Sequence, residues 1–203
     1  MKRLAISAEG ATEREFVNRI LAPHLRQHGW TAVVGVDLGG NVSLDKIRGV
    51  LPGLLGSFDQ VSTLYDYYGF RRRGDLVVEA LETQIGALPD PAQRHRLLPY
   101  VQLHEFEALL FAVPEQTCSW LDGTPPTVAT MQAAVREKGS PEQVNDRVET
   151  SPSHRLKTLF PRFDKKLHGP DIIELAGLPA VRAGCPRFDA WISRLEQLGM
   201  AGG

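Results

Sequence analysis

The sequence predicts an α/β fold built on a mostly parallel sheet with helices on both faces, followed by a helical C-terminal half. In the first half, short apolar segments of strand length alternate with longer amphipathic segments, in the order β-α-β-α-β-α-β. Strands that alternate with helices form parallel sheets, because each helix carries the chain back across the sheet. After Pro114 the pattern changes to short helical segments separated by Gly and Pro.

The first strand is predicted from the apolar run between Leu4 and Ala8, which ends at Glu9-Gly10. Thr12 and Glu15 have the spacing of a capping box, in which each side chain accepts a backbone N–H at the start of a helix. We therefore predict a helix from this point, with a kink at Pro23, which has no N–H to donate.

The other elements follow from Val-rich or alternating strands and from helices bounded by Gly, Pro or Asp. We predict that Pro52-Gly53 weakens or splits the second helix and that Asp75 caps the third. The predicted strands are 30–38, 60–65 and 98–103, and the predicted helices are 43–55, 76–85, 104–111, 115–121, 128–138, 153–160, 172–176 and 188–198. We treat 1–203 as one domain, with an α/β core over 1–112 and a helical extension over 113–203 packed on it.

Composition excludes several classes of protein. The 203 residues are 42% hydrophobic and 23% charged, which is typical of a globular domain. With 23 basic and 24 acidic residues the net charge is −1, so any nucleic-acid surface must be a local patch or be supplied by a partner. Cys118 and Cys185 form no CxxC pair, and no phosphate-binding GxxxxGK[ST] loop or GxSxG elbow occurs. No signal peptide or membrane span is predicted, so we expect a cytoplasmic protein.

Acidic residues follow three of the four predicted strands. Glu9 comes after the first strand, Asp66 after the third, and Glu105 with Glu107 after the fourth. Ligands of open parallel sheets bind beyond the carboxyl ends of the strands, so neighbouring strands would bring these carboxylates together. Clustered carboxylates repel each other, and a hard cation such as Mg²⁺ or Mn²⁺ relieves that repulsion. The pattern predicts a metal site suited to activating water and stabilising a phosphoryl transition state.

The same acids have a purely structural interpretation. Acids after strands are common as helix caps and solvated loop residues, and Glu107 could simply be exposed on its helix. The glycines beside the acids, Gly10 and Gly69, suit either the close approach of a ligand or turns with positive φ. Both interpretations stay open, because the sequence does not fix the strand order on which convergence of the acids depends.

Several basic residues are candidates for binding phosphate. The run Arg71-Arg72-Arg73 follows Asp66 closely, and a basic run beside a metal site suits a phosphodiester substrate. The alternative for each basic residue is a solvated surface position. The candidates in the helical half are Arg155, Lys157, Lys165 and His168.

Seven segments in a fixed order resemble the bacterial domain-of-unknown-function family 4276. They are EGATE (9–13), LYDYYGF (64–70), QLHEFEALLF (102–111), SPEQVND (140–146), SPSHRLK (151–157), HG (168–169) and the stretch from CPRF to Trp191. Each motif alone is weak, but their ordered combination over most of the chain is fairly specific. That family resembles Toprim domains, the metal-binding fold of topoisomerases, primases and OLD-type nucleases.

The resemblance implies specific roles for the acids. It implies an invariant glutamate after the first strand, here Glu9, and an Asp-x-Asp after a later strand, here beginning at Asp66. Tyr68 stands in the second Asp position, so one carboxylate of the Toprim pattern is missing, and Glu105 or Glu107 could replace it. Genes of the family often lie beside ABC-type or AAA-type ATPases in loci resembling phage-defence systems, which implies an ATPase partner.

We therefore predict a Mg²⁺- or Mn²⁺-dependent nuclease that acts on DNA or RNA as the effector of a phage-defence system. One alternative is a non-catalytic Toprim-like module that binds nucleic acid or an ATPase, and another is a metal-dependent phosphoesterase acting on a small molecule or nucleotide. The sequence predicts no membrane partner and leaves a homo-oligomer open. Predicted catalytic residues are Glu9, Asp66, Glu105 and Lys157; predicted metal ligands are Glu9, Asp66, Glu105, Glu107 and Glu13; predicted phosphate contacts are Arg71, Arg72, Arg155, Lys165 and His168.

Overall fold

The computed structural model describes residues 1–71, 74–145, 147 and 150–201. The chain divides into two compact units: unit 1 comprises Met1–Gln102 with Ile192–Gly203, and unit 2 comprises Leu103–Trp191. Among the described residues, no helix has both the length and the apolar character needed to span a membrane. The single-domain organisation expected from the sequence stays a prediction.

Unit 1 is built on a parallel sheet. Strand β1 (Arg3–Ala8) pairs with β2 (Ala32–Asp37) on one side and with β3 (Gln60–Asp66) on the other. Two short strands, β4 (Leu97–Leu98) and β5 (Val101–Gln102), both pair with β3, which gives the order β2-β1-β3-β4. All these pairings are parallel, which confirms the predicted α/β fold and its mostly parallel sheet.

Helices cover the central strands. Strand β3 is buried along its whole length and β1 is exposed only at Arg3, as expected for parallel strands with both faces covered. The helices of unit 1 are α1 (Ala11–Phe16), α2 (Ala22–Arg26), α3 (Leu44–Ser57) and α4 (Val78–Gly86). Those of unit 2 are α5 (Pro114–Trp120), α6 (Pro125–Lys138), α7 (Pro152–Leu159), α8 (Lys165–Ala176) and α9 (Leu178–Gly184), and α10 (Pro186–Met200) begins in unit 2 and ends in unit 1.

The start of α1 differs from the predicted capping box. The helix begins directly after Gly10, whose N–H donates to Glu13 Oε2 at 2.9 Å. Glu13 therefore performs the capping that was predicted for Glu15, and Thr12 lies inside the helix instead of preceding it. Glu15 instead accepts a bond from Arg14 Nη2 at 3.2 Å. The predicted start of the helix is two residues too late, because the N-cap position is occupied by Gly10, and the capping-box pattern expects Ser or Thr there.

The helix changes its geometry just before Pro23, where a kink was predicted, and the change observed is a wider turn. A π-helical turn over Val17–Leu21 separates α1 from α2, and the N–H of Ala22 donates to the carbonyl of Val17, five residues earlier. Pro23 has no N–H for the usual bond four residues back, and the wider turn accommodates the missing donor.

Two other helix predictions need correction. Helix α3 is continuous through Pro52, which lies on the exposed side of the helix. The carbonyl four residues earlier has no N–H donor because of the proline, but water can bond it there. Ser43 caps this helix by accepting the Lys46 N–H at 3.2 Å. Asp75 does not cap α4, which begins at Val78 without a side-chain cap.

The predicted fourth strand is split at Pro99, which cannot donate to a ladder. At the break, the hydroxyl of Thr63 accepts the N–H of Tyr100 and donates to its carbonyl, both at 2.8 Å. A side chain of β3 thus replaces the strand-to-strand bonds, and β5 resumes the pairing with β3 beyond it.

Unit 2 is helical. Its core includes the buried 3₁₀ segment Phe106–Ala112, predicted as a helix, together with apolar residues of α7, α8 and α9. Helix α8 begins at Lys165, well before the predicted start, because the Asp164 side chain accepts the Lys166 N–H at 2.9 Å and fixes the first turn. Helix α9 was not predicted.

Candidate functional site

Glu9 and Asp66 meet at the carboxyl edge of the sheet in unit 1. Strands β1 and β3 are neighbours, and the N–H of Asp66 donates to Glu9 Oε2 at 3.1 Å. The chain leaves β1 towards β2 on one side, while β3 lies on the other, so this is the point where the strand order reverses. Ligands of doubly wound sheets bind at such a point. The structure therefore brings Glu9 and Asp66 to the same edge of the sheet, and their roles as metal ligands stay predictions.

Gly69 is required by the position of the Glu9 carboxylate. A β-carbon at residue 69 would overlap all three terminal atoms of the Glu9 side chain. Gly69 ends a 3₁₀ turn over Tyr67–Gly69, which folds the chain after β3 back towards β1. Gly69 has no positive φ, and the group that approaches it closely is the Glu9 side chain, so the approach of a ligand stays a prediction.

Glu13 occupies the turn after β1. It is 6% exposed, and its carboxylate accepts the N–H of Gly10, the residue after Glu9. A β-carbon at residue 10 would lie 3.6 Å from Glu13 Oε2, which is an ordinary contact. Glu13 thus fixes the backbone that carries Glu9, and its predicted role as a metal ligand stays a prediction.

Tyrosines surround the end of β3. The hydroxyl of Tyr65 donates to Ser7 Oγ at 2.7 Å, and burial, with the nearby negative charge of Glu9, raises the pKa of Tyr65. Tyr68 is half-buried, with its ring 5.8 Å from the ring of Tyr67. The second position of the Asp-x-Asp pattern therefore carries an aromatic side chain packed in the turn.

Gln102 extends the polar edge and was missed by the sequence analysis. It pairs in register with Asp66 at the end of β5 and is fully buried. Its Oε1 accepts the hydroxyl of Tyr100 at 2.8 Å. The sequence signal was a polar residue inside the predicted fourth strand, where a buried position would require a hydrogen-bonding partner.

Arg71 lies near this edge, beside the start of α3. Its N–H donates to the carbonyl of Val42 at 3.0 Å and its side chain is exposed. It lines a cavity of about 390 Å³ together with Arg48 and with Ser43, the capping residue of α3. Basic side chains beside a helix N-terminus suit an anion. The prediction for Arg72 lies outside the described residues.

Glu105 and Glu107 lie in unit 2. The Glu105 carboxylate accepts the N–H of Ser153 at 2.9 Å and its hydroxyl at 3.0 Å, so Glu105 caps the start of α7. Glu107 is 1% exposed within the 3₁₀ segment, which corrects its interpretation as an exposed helix residue. The predicted roles of both acids as metal ligands stay predictions.

The basic candidates of unit 2 have different surroundings. Nε of Arg155 donates to the carbonyl of Thr150 at 2.8 Å, which fixes the loop before α7. Arg155 also lines a cavity of about 210 Å³ whose other walls include apolar side chains. Lys157 and Lys165 are exposed at α7 and at the start of α8. Their predicted contacts with phosphate stay predictions.

Two histidines of unit 2 make structural contacts. Nδ1 of His168 accepts the N–H of Asp164 at 3.1 Å, which adds to the capping of α8. His104 has a positive φ of 63° and lies 3.4 Å from the Asn145 amide. Burial lowers the pKa of His104, although the negative charge of Glu105 opposes the shift, so the ring is mainly neutral at pH 7.

Glu142 is a buried acid that the sequence analysis did not single out. Its carboxylate accepts the N–H groups of Arg187 and Phe188 at 2.9 and 3.1 Å, at the start of α10. Burial raises the pKa of Glu142 despite these two donors. The SPEQVND and CPRF segments are therefore joined by hydrogen bonds at the start of α10. Asp146 in the first segment lies outside the described residues.

The order of the parallel strands belongs to an α/β module with a Toprim-like fold. The fold is similar to the C-terminal region of the OLD protein of Burkholderia pseudomallei, with a TM-score of 0.56, 16% identity, and coverage of 98% of this chain and 99% of that one. It is also similar to the C-terminal region of the OLD protein of Xanthomonas campestris pv. campestris, with a TM-score of 0.52, 17% identity, and coverage of 98% and 94%. At these identities the likeness concerns the fold.

The chain belongs to the family described as domain of unknown function DUF4276, whose profile matches residues 8–196. The match covers both units and confirms the resemblance found in the ordered motifs. Comparison with curated proteins gave no significant match.

Proposed function

We propose that this protein is a divalent-metal-dependent nuclease that hydrolyses phosphodiester bonds of DNA or RNA, with Glu9 and Asp66 as its central metal ligands. The observation that carries the proposal is the contact between Asp66 N–H and the Glu9 carboxylate at the reversal point of a Toprim-like sheet. The matching fold of the OLD C-terminal regions supports a nuclease-type module.

The donor set suits Mg²⁺ or Mn²⁺. Both side chains offer carboxylate oxygens, the ligands that these hard cations prefer, and Mg²⁺ is often bound by only one or two carboxylates together with water and substrate phosphate. When bound, such an ion would supply Lewis-acid stabilisation of the phosphoryl group and a water of lowered pKa. Two carboxylates are therefore a sufficient protein contribution.

The surrounding residues hold Glu9 before any ligand arrives. The N–H of Asp66 and the absence of a side chain at Gly69 fix the Glu9 carboxylate, and the Glu13 cap fixes the turn after Glu9. A metal ligand whose position is set in advance needs little reorganisation on binding. In this proposal Glu13 is a positioning residue.

Arg71 is proposed to bind the nucleic-acid backbone. Its exposed side chain shares a cavity with Arg48 beside the start of α3. Phosphates bind Arg side chains and helix N-termini without regard to sequence, so such contacts would add affinity and salt dependence and no base specificity. An Arg71→Gln variant should weaken the binding of DNA and RNA similarly.

A non-catalytic module is the second candidate, and Tyr68 is the observation that favours it. The aromatic ring at this position is packed against Tyr67 and supplies no carboxylate to the edge of the sheet. A site with one acid fewer would bind metal more weakly. In this alternative the fold binds nucleic acid or an ATPase partner without cleaving a substrate.

A cleavage assay in Mn²⁺ separates the two candidates. Plasmid DNA and a long RNA are incubated with the wild type, Asp66→Asn and Asp90→Asn, each with and without the ATPase encoded nearby, which we propose as the partner in a phage-defence system. Asp90 is exposed in the same unit and makes a matched control. The nuclease proposal predicts cleavage by the wild type and Asp90→Asn but not by Asp66→Asn. No cleavage under any condition, with Mn²⁺ bound, would favour the non-catalytic module.

A further inference from the structure

A group of side chains of the kinds that bind metal lies in unit 1, at the other edge of the sheet from Glu9. Donor atoms of His24, His28 and Glu196 all lie within 4.8 Å of one another. The segment after His28 leads into β2, and the N–H of Thr31 donates to the carbonyl of Lys2 just before β1 begins. The group is therefore at the amino ends of β1 and β2.

Hydrogen bonds orient both histidines. Nδ1 of His28 lies 2.9 Å from the carbonyl oxygen of His24, and because a carbonyl only accepts, Nδ1 carries the proton. The lone pair of His28 is then on Nε2, as in metal-binding histidines that donate their other N–H to a backbone carbonyl. Nε2 of His24 lies 2.6 Å from Glu196 Oε1, so one histidine and the carboxylate are already paired.

The backbone around this group is closely packed. Trp30 Nε1 donates to the carbonyl of Leu195 at 2.9 Å, and a β-carbon at Gly199 would overlap the carbonyl of His28. Gly29 has a φ of +90°, and a β-carbon there would lie 2.7 Å from the carbonyl oxygen of Gly199. The end of α10 is thus held against residues 28–30, and the spacing of the three side chains is set by the fold.

We propose that His24, His28 and Glu196 form a binding site for a first-row transition-metal cation, best suited to Zn²⁺. Two imidazoles and one carboxylate are a typical zinc donor set, with the fourth position open to water. Donors of a tetrahedral zinc ion lie about 3.4 Å apart, which side-chain rotation can reach from the observed spacing. Mg²⁺ prefers oxygen ligands only, so this site differs in metal preference from the carboxylate edge.

The site would connect distant parts of the chain. His24 and His28 belong to the segment around α2, and Glu196 belongs to the last turns of α10, 172 positions after His24. A bound ion would tie the last turns of α10 to α2 within unit 1 and close a long loop, so we expect it to stabilise the folded state. This inference is independent of the proposed nuclease activity.

The test measures Zn²⁺ binding to the full chain by competition with a chromophoric chelator, in excess Mg²⁺ to occupy oxygen-only sites. His28→Gln is the main variant because it leaves the His24–Glu196 pair intact, and the exposed His95→Gln is the matched control. We expect the wild type and His95→Gln to bind one Zn²⁺ equally, and His28→Gln to bind at least about tenfold more weakly.

Two further readouts make the outcome decisive. Zn²⁺ should raise the melting temperature of the wild type and His95→Gln more than that of His28→Gln. Co²⁺ bound to the wild type should give the visible absorption of a four-coordinate site, and this absorption should be lost in His28→Gln. Equal Zn²⁺ binding by the two histidine variants, or no binding by the wild type at micromolar Zn²⁺, would overturn the proposal and leave a hydrogen-bonded contact only.

Discussion

The α-carbon of Gly69 lies directly against the carboxylate of Glu9, so that any side chain at position 69 would displace that carboxylate. The turn after β3 is therefore shaped around an acid at the end of β1. The same carboxylate accepts the N–H of Asp66, which begins this turn. The ends of β1 and β3 therefore form one structural element.

Gly69→Ala should impair metal binding more than stability. The added methyl group must displace the Glu9 carboxylate, which is the end of a flexible side chain, so the cost in stability should be only about 1 kcal/mol, at the low end of overpacking. Gly10→Ala is the matched control, because its methyl group meets only an ordinary contact with Glu13 and its φ of −152° suits any residue. Denaturant unfolding and Mn²⁺ titration of both variants measure the effects. Equal behaviour of the two alanine variants would contradict the assigned role of Gly69.

Tyr68→Asp should strengthen metal binding. This substitution restores a carboxylate at the second position of the Asp-x-Asp pattern, and we expect the Kd for Mn²⁺ to fall by about tenfold, which corresponds to about 1.4 kcal/mol. Tyr68→Asn, of similar size but without the charge, is the control. If both variants bind Mn²⁺ alike, position 68 does not face the metal.

Glu105 and Ser153 should be energetically coupled. Glu105→Gln removes the charge from two hydrogen bonds at the start of α7, and we expect a loss of about 1–3 kcal/mol in the free energy of unfolding. Ser153→Ala should cost about 1 kcal/mol, and the double variant should show a coupling of at least about 0.5 kcal/mol. Ser119→Ala, at an exposed position of unit 2, is the control. Additive effects of the two substitutions would contradict the capping contact.

Glu142 should make stability depend on pH. Burial raises its pKa in the folded protein above the usual value of 4.5, so the folded state keeps a proton that the unfolded state has released. The contribution of Glu142 to the free energy of unfolding is therefore present below about pH 4.5 and is lost as pH rises through the pKa of the folded state. We expect the wild type to lose stability relative to Glu142→Gln over this window, measured by urea unfolding. A difference that grows in favour of the wild type as pH rises would contradict this assignment.

Much of unit 1 could be predicted from the sequence. The apolar strands and intervening helices predict a parallel sheet, and acids after the first and third strands predict a polar edge, as observed for Glu9 and Asp66. The strand order was not predictable, because it depends on packing between distant segments. The capping of α1 by Glu13 and the split at Pro99 were missed because tertiary contacts replaced the local patterns.

In the helical half, the partners of the acidic side chains could not be predicted from the sequence. Glu105 and Glu142 are acids whose partners lie 48 and 45 positions away, at the starts of α7 and α10. Local spacing carries no signal for such contacts, so an acid that caps a distant helix has the same sequence pattern as a metal ligand. The contact between His24 and Glu196, 172 positions apart, was missed for the same reason.

The measurement that tests the central claim most directly is Mn²⁺ binding by calorimetry to the wild type, Glu9→Gln and Asp66→Asn. Asp90→Asn and His28→Gln serve as controls, the first for exposed acids and the second for the histidine group. Shared ligation by Glu9 and Asp66 predicts millimolar or tighter binding by the wild type and both controls, and at least about tenfold weaker binding by each acid variant. Equal binding by all five proteins, or no binding by the wild type at millimolar Mn²⁺, would contradict a metal site at the ends of β1 and β3.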